Sequence, residues 1–160
     1  MNRIILQQAA AVQGQSWEDG SELTLPIRYD AAVKMVLQVG GQLHMLAVDG
    51  QQPVSFGIEN IRVTSSGDYI FGNAKLFPVS ESIITVDRPY QKHRTAAPEV
   101  EATDTLPAKF HISVGAYCLC KTALEALVLD DLESLNATKL HWTAQRATVE
   151  KPEERRFLYI

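Results

Sequence analysis

The chain has 160 residues, 46% of them hydrophobic and 21% charged, and a net charge of -4. That balance excludes a disordered polymer and supplies enough apolar side chain for a core without disulfide or metal staples. Residues 1–87 hold 5 basic and 9 acidic side chains and residues 88–160 hold 10 of each. No stretch is therefore a phosphate-neutralising footprint, and nucleic acid is not expected as a partner.

The first fifteen residues carry a single Arg3 and an apolar run too short for the core of a signal peptide. Arg3–Leu6 reads as a short strand, no window is read as a membrane span, and the expected location is cytoplasmic with no membrane partner. Ser16–Ser21 is a turn. Glu22–Tyr29 alternates, with Leu23, Leu25 and Ile27 on one face and Pro26 marking an edge or a bulge. Val33–Val48 has two apolar runs around Gly40-Gly41 and predicts a tight hairpin covered on both faces. A short helix over 31–38 capped by Asp30 is the rival reading, opposed by the β-branched residues and the glycine pair. Asn60–Phe77 predicts a second hairpin turning at Ser66-Gly67, and Ser82–Val86 another short strand.

From Arg88 to Lys109 the pattern changes, with prolines at 89, 98 and 107, few large apolar residues and no period. Residues 89–108 are therefore expected as a loop or linker between a β-rich unit at 1–88 and a strand-helix-strand-strand unit at 109–160 that shares its core. Lys109–Leu119 alternates again, and Phe110, Ile112, Val114, Ala116, Cys118 and Cys120 share one face. Thr122–Glu125 matches a capping box and predicts an amphipathic helix over 122–135, with Leu124, Leu127, Val128, Leu132 and Leu135 inward. Lys139–Val149 reads as a strand, 151–154 as a turn and Arg155–Ile160 as a last strand. The fold class that follows is mainly β, or β-rich α+β: a small barrel or roll built from hairpins with one helix packed against it.

Few segments look chemical. Cys118-Leu119-Cys120 has a spacing unlike the common zinc knuckles, and both cysteines continue an apolar face, so they are expected as buried core rather than metal ligands. No phosphate loop, nucleophile elbow or paired carboxylate pattern occurs, so no catalytic residue, metal or cofactor is expected. The one candidate site is Arg88, Tyr90, Lys92, His93 and Arg94, whose cationic side chains and tyrosine could hold a phosphate or carboxylate. Three functions follow. The first is a non-catalytic protein-interaction or structural module, oligomeric or bound to a protein partner, because strand edges are plentiful and motifs are absent. The second is binding of an anionic small ligand or nucleotide through Arg88–Arg94. The third is a cysteine-dependent enzyme.

Overall fold

The computed structural model describes residues 12, 14–127 and 139–155. Its architecture is mixed α+β, with two antiparallel sheets and no closed barrel among the described residues. The mainly β expectation is thus corrected. The first sheet joins β1 (Ser21–Glu22), β3 (Ile61–Val63) and β4 (Tyr69–Phe71) in the order β1-β3-β4. The second joins β2 (Gln51–Gln52), β5 (Phe77–Ser80), β6 (Ile83–Val86) and β7 (Ala108–His111) in the order β2-β5-β6-β7. The helices are α1 (Tyr29–Val48), the single turn α2 (Pro98–Glu101), α3 (Ser113–Ala126) and α4 (Lys139–Ala147).

The expected hairpin over 33–48 is one continuous helix. Its buried apolar positions are Ala32, Met35, Val36, Val39 and Leu43, a spacing of three and four that fits a helix as well as alternation fits a strand. Two mid-helix glycines cost about 1 kcal/mol each against alanine, and the burial of this face offsets that. By length and composition α1 could cross a membrane, with 20 residues and a mean hydropathy of 1.2, contrary to the expectation that no window reaches a span. Its packing is that of a core helix: buried positions line one side, and glutamines among them bond a sheet.

Those glutamines fasten α1 to the edge of β4. Gln38 Oε1 accepts the Tyr69 N–H at 2.7 Å and Gln42 Oε1 the Phe71 N–H at 2.9 Å. Gln42 Nε2 donates to the Tyr69 carbonyl at 2.9 Å, and Gln38 Nε2 to Asp68 Oδ1 at 2.9 Å. Asp68 also accepts from Gln15 and Ser66 and lies 3.4 Å from Lys34 Nζ. The Gln15 and Gln38 donors, against a smaller opposing effect of burial, hold its carboxyl down at about 2.

The alternation over 109–119 breaks after β7. The chain then enters α3, which the expected helix over 122–135 overlaps only at its end; residues 128–138 lie outside the described set. Thr122 is therefore mid-helix rather than a cap. Misreading has a physical source: α3 is buried on more than one side, so no polar stripe marks its period. Cys118, Leu119, Ala123 and Ala126 join the core under α1 and Phe56, Val114 joins the core under the second sheet, and Cys120 meets Ala144 and Ala147 of α4. The expected strand over 139–149 is α4. Of Glu22–Tyr29, Glu22 pairs in β1, and Ile27 forms an isolated parallel bridge with Leu127. The strands expected at 3–6 and in 156–160 lie outside the described residues.

The expected linker 89–108 is a structural layer. Ala96, Ala97 and Val100 are buried in one cluster with Ile84, Val86, Phe110 and Val114, so the segment covers the inner face of the second sheet. Small residues make that cover, which is why no large apolar period announces it.

The Ser66-Gly67 hairpin is found as expected, with Val63 facing Tyr69. A second hairpin, β5 to β6, turns through Glu81 (φ 52°) and Ser82 (φ 67°), both left-handed and neither glycine nor asparagine. Such residues cost about 1–2 kcal/mol each in that region. Ser82→Gly should accordingly raise stability by about 0.5–1 kcal/mol, measured as a higher urea midpoint with unchanged slope. In the opposite direction, Gln38→Met keeps the side-chain volume but leaves the Tyr69 N–H buried without an acceptor. It should lower stability by about 1–3 kcal/mol in the same measurement.

Candidate functional site

The structure separates the cations of the 88–94 segment instead of gathering them. Arg88 Nη2 donates to the Leu76 carbonyl at 2.7 Å, and its guanidinium lies 4.6 Å from the centre of the Phe77 ring. Lys92 Nζ donates to the Glu101 carbonyl at 3.0 Å and to Asp104 Oδ1 at 2.9 Å, a bond that holds the lysine pKa up and the aspartate pKa down. Arg94 Nη2 reaches Glu125 Oε2 at 3.0 Å from an exposed position. Tyr90 packs edge-on to Phe77, and burial raises its pKa; its hydroxyl is buried with no hydrogen-bond partner. Each cation is neutralised or capped locally and they point to different parts of the surface, so no common anion cradle forms.

His93 is the exception, because it joins two residues that no sequence pattern singled out. Ser55 Oγ lies 2.9 Å from His93 Nδ1, and Glu59 Oε1 lies 2.7 Å from His93 Nε2. The Glu59 carboxylate only accepts, so Nε2 carries the proton, and in the neutral ring Nδ1 accepts the Ser55 hydroxyl proton. The result is a Ser-His-Glu string with the ring nitrogens exchanged relative to hydrolase triads.

Its surroundings oppose catalysis. Ser55 is 8% exposed, and its oxygen also accepts the His93 backbone N–H at 2.8 Å. The Gly57 N–H is held by Asn60 Oδ1 at 3.1 Å. That amide is therefore not left to stabilise an oxyanion beside Ser55. The string is a brace instead, and with the Thr95 hydroxyl donating to the Phe56 carbonyl at 2.7 Å it pins the 89–97 segment onto the buried run 52–57. Clefts of about 350 and 450 Å³ flank the brace; on their walls Lys75 Nζ donates to the Pro89 carbonyl and Asn60 Nδ2 to those of Gly72 and Asn73, while the Thr122 and Tyr90 hydroxyls are buried without a partner among the described residues.

The cysteines are core, although on a helix rather than a strand. Burial pushes both thiols up to about 12, at Cys118 against the opposing effect of backbone hydrogen bonds. Burial and the raised pKa both oppose a thiolate nucleophile at neutral pH at either position. Among the described residues no three His, Cys, Asp or Glu converge as a metal site.

Among the described residues, the outer edge of β7 is left without a partner strand. Ile112 N–H donates to the Ser82 carbonyl at 2.8 Å, so Ile112, Phe110 and Ala108 turn their main chain toward β6, and Lys109 and His111 turn theirs away. No described strand pairs with that side. The His111 ring is occupied within its own chain, Nδ1 accepting the Ser113 N–H at 3.1 Å. Lys109 is exposed, as are Leu106 before the strand and Ile83 opposite His111. No family model matches the chain, and a search of curated proteins returns no match.

With both thiols sealed and protonated, maleimide at pH 8 should label neither cysteine in the native protein. Labelling should follow global unfolding, tracked by mass spectrometry across a urea series, and rapid modification without denaturant would contradict the burial.

Proposed function

We propose that the protein is a non-catalytic interaction module that receives an extended, acidic segment of a partner protein along β7. The observation that carries this reading is the outward main chain of Lys109 and His111, a row of donors and acceptors backed by a complete four-stranded sheet. Exposed edges of this kind are normally blunted or covered. The edge of β4 is sealed by glutamines, and β1 and β2 are only two residues long. Lys109 supplies a cation beside the incoming strand. A second copy pairing about a two-fold axis would set Lys109 against Lys109 or His111, which disfavours self-pairing. The dispersal of Arg88, Lys92 and Arg94 makes nucleotide binding the weaker alternative, and the sealed thiols do the same for a cysteine enzyme. Free, buried cysteines fit a reducing compartment, and the cytoplasm is the location this reading adopts.

The Lys109 N–H points away from β6, so Lys109→Pro removes one docking donor without breaking the existing ladder. Extended peptides selected from a display library should be rich in Asp and Glu, should shift the Lys109 and His111 amides, and should bind Lys109→Pro about tenfold more weakly or worse. Equal binding to both proteins, or selected peptides that leave β7 unperturbed, would refute the reading. A concentration-dependent mass that disappears in Lys109→Pro would instead make the occupant a second copy.

A further inference from the structure

Between α1 and the first turns of α3 lies a cavity of about 270 Å³, lined mainly by apolar side chains that include Leu43, Ala47, Ala116 and Leu119. Two glycines, Gly40 and Gly115, form part of its wall, and a Cβ at Gly115 would sit 3.2 Å from Gln52 Oε1. Its charge is neutral in effect. Arg155 reaches the rim, but its guanidinium is held bidentately by Glu99 at 2.7 Å on both arms, stacks 4.9 Å from the Tyr117 ring, and has a side chain only 1% exposed.

One polar group in the wall is incomplete. Gln52 is 3% exposed, and its Nε2 donates to the Leu43 carbonyl. A carbonyl can only accept, so the amide orientation is fixed and Oε1 must be the end turned toward α3. There it lies 3.2 Å from the point where a Cβ on Gly115 would sit, and no donor among the described residues reaches it. The oxygen is not sealed from solvent, so it stands as an acceptor open to the cavity, and a guest able to donate could bond it there. His44, also on the wall, makes no hydrogen bond to a described residue.

We infer that this cavity is a binding site for a small neutral molecule of about one ring carrying one N–H or O–H donor, with Gln52 Oε1 as its acceptor. The size sits just below the usual range for ligand pockets, which limits the guest to a phenol- or indole-sized body. Neutrality follows from Arg155 being already paired, which leaves no free cation for a carboxylate or phosphate. The glycine at 115 has a purpose in this reading: any side chain there would meet the acceptor before the guest did.

The test is a titration of ¹⁵N-labelled full-length protein with 4-methylphenol and with indole, set beside the donor-free 4-methylanisole and toluene. Saturable shifts are expected at the Gly115 and Ala116 amides and at the Gln52 side-chain amide, with 4-methylphenol binding about tenfold more tightly than its methyl ether. Ala47→Leu, which fills the cavity from α1, should abolish binding without lowering the melting temperature. Gly115→Ala should weaken binding from the α3 side and keeps the test open if the first variant misfolds. Absence of saturable shifts with every probe, equal affinity for 4-methylphenol and 4-methylanisole, or full binding by a folded Ala47→Leu or Gly115→Ala protein would each overturn the inference.

Discussion

The pairing of Gln38 and Gln42 with β4 is the contact on which the rest of the arrangement depends. Residues four apart on a helix rise about 6 Å, and residues two apart on a strand span about 6.7 Å. Two glutamines at that helical spacing can therefore serve Tyr69 and Phe71, whose outward groups repeat at the strand spacing. The amides take the place of a neighbouring strand, so the sheet ends against a helix with the Tyr69 N–H and carbonyl and the Phe71 N–H paired. This fixes the rotation of α1 as well as its position, because turning the helix would unseat both amides together. The buried face carrying Met35, Val39 and Leu43 is held toward α3 by the same constraint.

From that fixed helix the interior extends through α3. Val114 faces the second sheet, Cys118 and Leu119 face the core of α1, and Cys120 faces α4, so one helix forms a wall of three apolar clusters. The same helix meets the Arg155–Glu99 pair through Ser113 and Tyr117. Glu99 lies in the short turn that helps cover the second sheet, and Arg155 follows α4. A nearly buried ion pair between them is strongly orienting, since separating its members leaves a charge without solvent. It ties the segment over the sheet to the end of the described chain, and it removes the one cation that would have made the α1–α3 cavity attractive to anions.

What the sequence disclosed depended on how local the cause was. The Ser66-Gly67 hairpin and the strand at 83–86 were legible because turn chemistry and alternation lie within a few residues. The turn at Glu81-Ser82 was not, since neither residue advertises a left-handed backbone. Both long helices were hidden for a different reason: α1 and α3 are apolar on more than one side, and their buried sets also satisfy a period of two over short windows. The 89–108 segment looked like a linker because alanines and one valine, not large side chains, make its contacts. At the candidate site His93 was selected as a possible cation, but its partners Ser55 and Glu59 come from a distant run and could be found only in three dimensions. Arg88, Lys92 and Arg94 were clustered in sequence and are dispersed in space, because each is held by a different neighbour: the Leu76 carbonyl, the Glu101 carbonyl with Asp104, and Glu125.

Gln38, Gln42 and Gln52 show how the same residue type can close a fold or leave it open. Gln38 and Gln42 use both ends of their amides, donating through nitrogen and accepting through oxygen, so they are structural connectors with nothing left to offer. Gln52 bonds α1 through nitrogen alone, at the point where β2 of the second sheet passes the Leu43 carbonyl. Its oxygen lies against Gly115, beside a cavity lined mainly by apolar side chains. The contrast between the β4 and β7 edges has the same logic. At the β4 edge the amides match the strand from within, whereas Gln52 Oε1 and the outer main chain of Lys109 and His111 have no partner among the described residues and lie where a guest or a partner strand can supply the missing half.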